Sequence, residues 1–299
     1  MTECAPSEAS NGEDCRLSVV IACFNGMPYL KEQLDALCRE DPPFHWELIV
    51  ADNGSTDGSK ELARSYSGRL PIRVLDASDI GGPAHARNRG VAAARSEQIA
   101  TLDADDIISP GYLQKVQTAI ANSAFVAARM DIDSINPSWI QKAYRIPTLD
   151  AGLPVVKPYA AAFGGMLGMR KVLFDSVNGF DEFLSGHEDI DLCWRIQRSN
   201  NVVLALCDGT VRYRLRSTLP AIFKQARRQG RGAAQFYVKW RGAGMGRASA
   251  RQVARRWIAT AAHLCLAWRS KTHLARGIHL LGLNVGCLEG SIINRVLFM

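Results

Sequence analysis

The chain has no run of eighteen uninterrupted apolar residues, so nothing in it reads as a membrane span. Residues Met1 to Arg16 are polar and acidic and lack the apolar stretch of a signal peptide, so 1–16 are expected to be a flexible tail. None of the eight cysteines forms a Cys-x-x-Cys pair and most fall in apolar segments, which argues against a zinc site and a disulfide framework. Reduced thiols and a cytoplasmic location are the expectation. Acids are scarce in one region. From Pro220 to Met299 there is one, Glu289, against fourteen Lys or Arg, whereas Met1 to Leu219 holds 22 basic and 28 acidic residues. The net charge of +7 therefore conceals an acidic part followed by a strongly basic one, and such asymmetry points to an anionic partner. No nucleic-acid reader motif is present, so a membrane surface or a phosphorylated substrate fits better.

With 299 residues and 47% hydrophobic content, the chain can bury a large core. Short β-branched runs at Leu17–Cys23, Trp46–Ala51, Pro71–Leu75 and Glu97–Leu102 read as buried strands. Helical patterns follow each of the first three: Leu30, Leu34 and Leu37 share a face, a turn cluster Asp52–Gly58 opens the second helix, and Gly81-Gly82-Pro83 begins one reaching Arg95. Strands alternating with helices predict an α/β protein with a mostly parallel twisted sheet and helices on both faces. A helix at Pro110–Asn122, a strand at Ala124–Met130, a helix at Arg170–Val177 and a strand at Asn201–Leu206 continue the pattern. Prolines 137, 147, 154 and 158 mark loops that would shape a substrate site. After Arg216 come arginine-rich helical patterns at Ala221–Trp240 and Arg247–Trp268 and an apolar segment at Ile278–Val285.

The stretch Ile99 to Ile108 runs an apolar strand into Asp103, Asp105 and Asp106. Open α/β sheets bind ligands at the carboxyl ends of their strands. Carboxylates so close repel one another unless a cation lies among them, and magnesium or manganese takes oxygen ligands. An acidic turn capping the next helix, at Ser109-Pro110, is the other reading of the same residues.

The ordered set of motifs resembles the family-2 glycosyltransferases, inverting enzymes of the GT-A fold. The pieces are Phe24-Asn25; Val50-Ala51-Asp52-Asn53-Gly54-Ser55-Thr56-Asp57; Ala86-Arg87-Asn88-Arg89-Gly90; Leu102-Asp103-Ala104-Asp105-Asp106; Gly179-Phe180-Asp181-Glu182; and Glu188-Asp189-Ile190-Asp191-Leu192. The likeness covers 17–216, with a nucleotide-sugar half at 17–108 and an acceptor half at 109–216, ahead of a basic helical region at 217–299. It implies that Asn25, Asp52, Arg87 and Asp103 bind the nucleotide sugar, a UDP- or dTDP-sugar, with Asp52 on the base. It implies that Asp105, with Asp103, holds manganese or magnesium, that Gly165 and Glu188 face the acceptor, and that Asp189 is the general base. Asp191 reads as an i,i+4 partner of Arg195, and Trp194 as core.

Two departures stand out. Arg212 occupies the place where many relatives carry a histidine that reaches metal or phosphate; it cannot ligate a metal but can hold a diphosphate. The Q-x-x-R-W motif of processive synthases is absent, so single additions are expected. The acceptor is read as a hydroxyl of a lipid-linked or cell-envelope glycan intermediate, with a soluble secondary metabolite as the alternative. A non-catalytic carbohydrate- or membrane-binding scaffold is the alternative from another class. The region 217–299 is expected to meet a membrane surface peripherally, to dimerise, or to bind a phosphorylated acceptor.

Overall fold

A computed structural model describes residues 15–144, 153, 155–156 and 158–298. Most of the expected N-terminal tail lies outside the described residues, and so does much of the proline-marked stretch, including positions 147 and 154. Cys15 and Arg16 already belong to the first strand.

The strands β1 (Cys15–Cys23), β2 (His45–Asp52), β3 (Ile72–Asp76) and β4 (Gln98–Asp103) form the parallel half of the sheet. The helices α1 (Leu30–Leu37), α2 (Ser59–Ser65) and α3 (Pro83–Ala92) connect them. The sheet continues through β5 (Ile107–Ile108), β6 (Phe125–Asp131), β9 (Leu167–Arg170) and β10 (Ala205–Arg212), in the order β3-β2-β1-β4-β9-β6-β10-β5. A separate short hairpin comprises β7 (Val155–Val156) and β8 (Tyr159–Ala160). β9 runs antiparallel between β4 and β6, and β5 antiparallel to β10, so the part of the sheet beyond β4 is mixed. Side chains alternate across the strands. Val19 and Ile21 of β1 enter a core with Leu30, Leu34 and Leu37 of α1 and Val116 and Ile120 of α4 (Tyr112–Ser123). Val20 enters the opposite core with Val91 of α3 and with Leu192 and Ile196 of α7 (Glu188–Asn200).

Several elements differ from expectation. Ser138–Tyr144 is a helix, α5, and Lys171–Asp175 forms the short α6. The last strand begins at Ala205 because Asn201, in the left-handed conformation at φ 52°, closes α7. It then extends through the polar Asp208-Gly209-Thr210, whose pairing with β6 carries a register shift between Leu206 and Thr210. The expectation had stopped at the end of the apolar run.

The C-terminal region is α8 (Leu219–Trp240), α9 (Ala250–Cys265) and α10 (Lys271–Ile293). Gly282, Gly286 and Gly290 are four apart and lie against the backbone of α8. A Cβ at Gly286 would stand 2.0 Å from the Arg227 carbonyl oxygen, so only glycine permits this approach. α8 is also bound to α7. The Trp240 indole donates to Asp191 Oδ1 at 2.9 Å, and Lys239 and Arg195 reach the same carboxylate at 2.8 and 2.6 Å. Asp191 is fully buried, and the Asp191–Arg195 pair and the buried Trp194 are as expected.

Asp191→Ala is expected to destabilise the fold by about 3 kcal/mol, the low end for removing one member of a buried ion pair. The loss is held there because Arg195 keeps the Val177 and Gly179 carbonyls and Lys239 keeps Asp181. Chemical denaturation measures it; a loss below about 1 kcal/mol contradicts the role of Asp191 as the tie between α7 and α8.

Candidate active site

A cleft of about 1070 Å³ opens at the carboxyl ends of β1 and β4, walled on its far side by α8. Its floor begins where the loops after β1 and β2 are tied together. The Asn25 and Met27 amides donate to Ser55 Oγ and Asp57 Oδ2 at 2.9 and 2.8 Å, and Asn25 Oδ1 accepts from the Thr56 amide at 2.8 Å. Asn25 lines the cleft. Asp52 lies just behind the lining: it is buried, and its two oxygens sit 3.3 Å from the Ser55 amide. Its neighbour Asn53 faces the cleft.

Asp103 ends β4 and faces the cleft. Arg87 of α3, itself buried, donates to Asp103 Oδ1 at 2.5 Å and lies 5.4 Å from the Phe180 ring centroid. Its other terminal nitrogen is 3.9 Å from Glu188 Oε1, so one guanidinium spans the acid that ends β4 and the acids of α7. Asn88, the next residue, donates to the Phe180 carbonyl and accepts from the Phe180 amide at 2.9 and 2.8 Å. That pair pins the Gly179–Glu182 turn to α3. A Cβ at Gly165 would stand 2.5 Å from Asp103 Cγ, so this backbone must be glycine for Asp103 to keep its place.

Asp105 also faces the cleft, ion-paired through Oδ2 with Arg216. Burial raises its pKa, Arg216 opposes the rise, and Asp103 adds to it. Asp106 is buried; one oxygen accepts from the Arg214 amide at 2.8 Å and the other has no partner among the described residues. Burial, then repulsion from Asp103 and Asp105, pushes its pKa well up. Asp106 is therefore a turn residue tied to the chain after β10.

Among the described residues no group of three or more His, Cys, Asp or Glu could hold a metal ion unaided. The residues do fit a cation that draws other ligands from phosphate and water. Two cleft-facing carboxylates, Asp103 and Asp105, suit magnesium or manganese, which commonly bind through one or two carboxylates plus substrate phosphates. The raised pKa of Asp105 and Asp106 marks a place where added positive charge is favourable.

Across the cleft, Glu188 and Asp189 open α7. Asp189 Oδ1 accepts from the Ile190 amide at 2.8 Å and Oδ2 from the Gly164 amide at 3.3 Å. Gly164 is itself held through its carbonyl by the Thr101 hydroxyl at 2.6 Å. Burial and then the neighbouring Glu188 push the Asp189 pKa up to about 7; the two amides and Arg87 restrain the rise. A carboxyl with that pKa ionises near neutral pH, as a general base requires. His187, just before the pair, stacks on Phe236 at 5.8 Å, and burial holds its imidazole below the usual value. It is a half-buried packing residue.

The structure separates Arg212 from the acids. Arg212 ends β10 in register with Asp131 and Ile107, and its charge helps lower the pKa of Asp131. It does not line the cleft, whereas Arg214 and Arg216 do. Arg216 is the cation beside Asp105. The alternation Arg212-x-Arg214-x-Arg216 was the available signal, but where the strand ends decides which arginine meets the acid. Sequence reasoning also missed Arg228 of α8, which donates to Glu188 Oε1 at 3.2 Å, and Lys224 in the same wall.

A GT-A sheet with an acid turn at the end of β4 and an acid pair facing it across one cleft fits a glycosyl-transfer enzyme. The chain belongs to glycosyl transferase family 2, whose model matches residues 18–177. A second model, described as the N-terminal domain of galactosyltransferase, matches 153–215. The chain is 36% identical over 98 residues to validoxylamine A glucosyltransferase of Streptomyces hygroscopicus subsp. limoneus, covering 32% of this chain and 22% of that one. It is 30% identical over 84 residues to poly(ribitol-phosphate) β-N-acetylglucosaminyltransferase TarS of Staphylococcus aureus, covering 27% and 15%. Both matches thus span under a quarter of those relatives. Among solved structures, the mannosyltransferase PcManGT from Pyrobaculum calidifontis, in complex with GDP-Man and Mn²⁺, has a TM-score of 0.61 at 17% identity. The match covers 94% of this chain and 89% of that one. S. aureus TarS 1-349 in complex with UDP-GlcNAc has a TM-score of 0.54 at 16% identity, covering 95% and 93%. Both structural likenesses speak to fold alone.

Proposed function

We propose that this protein transfers one sugar from a nucleotide diphosphate sugar, a UDP- or dTDP-sugar, to an acceptor hydroxyl with inversion. The observation that carries the reading is Asp189: a carboxylate oriented by two amides, with a pKa of about 7, facing Asp103 and Asp105 across one cleft. The donor lies along Asn25, Asp103 and Asp105, with Asp52 behind the base and Arg87 fixing Asp103. Asp103 and Asp105 would hold the divalent cation, and when bound it supplies charge neutralisation to the departing diphosphate. Arg216 supplies a fixed positive charge at the same end. Asp189 takes the proton of the acceptor hydroxyl as its oxygen attacks the anomeric carbon opposite the diphosphate. That is a single displacement, so the configuration inverts. Glu188 and the backbone at Gly165 bound the acceptor side, and Glu188 also raises the basicity of Asp189 by like-charge repulsion.

The acceptor is a lipid-linked or cell-envelope glycan intermediate. Exposed Ile258 and Trp268, at 68% and 83%, lie beside exposed Arg251, Arg255 and Arg269 on and just after α9. Such a face suits peripheral contact with an anionic membrane. Among the described residues no helix is long and apolar enough to cross one.

The test is a thermal-shift screen of UDP-, dTDP- and GDP-sugars with and without manganese. At a hundredfold excess over Kd a bound donor stabilises by about 2.7 kcal/mol, and a shift of several degrees is expected for a uridine or thymidine donor with manganese. No shift with any nucleotide sugar sinks the reading, and a shift only with GDP-sugars corrects the base.

A further inference from the structure

The cleft continues past Asp189 along α8. Ala221, Lys224, Gln225 and Arg228 recur at i, i+3, i+4 and i+7, so they share one helix face, and that face lines the cleft. The stripe abuts the donor end: the Tyr144 hydroxyl lies 3.1 Å from Gln225 Oε1 and 3.3 Å from the Arg216 carbonyl. Arg228 is engaged, donating to the Ser185 carbonyl at 2.7 Å and to Glu188. Lys224, one turn earlier and exposed, has no ion-pair or hydrogen-bond partner among the described residues. Farther along, Arg256 of α9 enters the same cleft and donates to the neutral Asn284 Oδ1. Beyond it the lining turns apolar at Ala233, Leu283 and Phe298.

The charges of the cleft do not balance. Asp103 is matched by Arg87 (which also acts on Asp189), Asp105 by Arg216 and Glu188 by Arg228, while Arg214 is paired with Glu32 outside. Lys224 and Arg256 remain with no carboxylate facing them among the described residues. The helices around them offer no relief, because Glu289, the lone acid after Pro220, is spent on Arg227 and Arg231. An acceptor of neutral sugars would leave both cations without an ion-pair partner in the cleft wall. We infer that the acceptor is phosphorylated, and that Lys224 and Arg256, with Arg228 at the edge, form the subsite for its phosphate or diphosphate. This rests on the glycosyl-transfer reading for the word acceptor; the anion site itself stands on the geometry.

The test is direct binding, which needs no turnover. Inorganic diphosphate, geranyl diphosphate and geraniol are titrated by calorimetry into the whole chain at physiological salt, where distant surface charges are largely screened. Both diphosphates are expected to bind and geraniol not to. Lys224→Glu is expected to weaken diphosphate binding about tenfold. Lys224 is exposed and unpartnered, so the variant folds. Arg251→Glu makes the same charge change on the exposed face of α9, away from the cleft, and is expected to cost less than about twofold. Equal losses in the two variants would show only the general field of the basic region, and undiminished binding in Lys224→Glu would place the anion at the donor end beside Arg216. Either result overturns the subsite, as does absence of binding. Tighter binding of geranyl than of inorganic diphosphate identifies a lipid-linked source and equal affinity a soluble one, both in support. If the thermal-shift screen finds no donor while the subsite binds, the transfer reading fails and the anion site remains.

Discussion

Asp189→Asn is expected to lower the kcat of transfer by about 10²–10⁴-fold, the range for losing a positioned general base. The donor KM should change little, because the donor contacts lie on the other wall. Asn keeps the shape and, through its one carbonyl oxygen, the shorter Ile190 contact; its NH2 cannot accept from the Gly164 amide, and the side chain cannot take the acceptor's proton. The pH profile gives the second readout. With a pKa of about 7, the Asp189 carboxyl is protonated in more acid solution and ionised above. The wild-type kcat/KM should therefore fall about tenfold per pH unit below that value and level off above it. Glu188→Gln removes the like charge that helps raise this pKa, so the acid limb should move to lower pH. A fully active Asp189→Asn enzyme, or an acid limb unmoved in Glu188→Gln, would mean that another group takes the proton.

Asp105→Asn should cost about 10²–10³-fold in kcat/KM, the range for removing one group that stabilises transition-state charge. It should also abolish any stimulation by manganese. Thermal stability should not fall with it. A carboxyl whose folded pKa is raised binds its proton more tightly folded than unfolded, so its contribution to stability is lost as pH rises through that range; at neutral pH the ionised form costs stability. An uncharged Asn relieves that cost, offset in part by the lost partner of Arg216. Activity lost with Tm held or raised separates a functional role from misfolding. Arg216→Ala should act in the opposite sense on the metal, freeing Asp105 and raising manganese affinity while lowering kcat. Full activity of Asp105→Asn in the presence of chelator would remove both acid and metal from the mechanism.

The site was legible to different depths on its two sides. Asp103 and Asp105 announced themselves because an apolar strand running into acids fixes where the carboxylates emerge. Glu188 and Asp189 came from a motif, and both line the same cleft as Asp103 and Asp105. Arg212 shows where linear reading stops. Three arginines alternate after the apolar part of β10, and spacing alone cannot tell which lies inside the ladder. Pairing with both β6 and β5 holds Arg212 in the sheet and delivers Arg216 to Asp105. Arg228 and Lys224 were invisible as site residues because a helical stripe of charge normally faces water. Only the docking of α8 on α7, through Asp191 and Trp240, turns that stripe into a cleft wall.

Local chemistry in the sequence therefore determined the α/β class, the strand ends that carry acids, the glycosyltransferase family and the basic bias of the last eighty or so residues. The class, the strand ends and the charge bias follow from short-range patterning, where period and charge suffice, and the family from the ordered motifs that resemble it. The tertiary structure decided what depends on contacts between distant segments. It set β9 antiparallel between β4 and β6, raised the Asp189 pKa by burying it beside Glu188, and chose Arg216 as the partner of Asp105. It also made the basic helices part of the cleft. Burial and pairing are properties of the packed chain, and no window of sequence contains both partners.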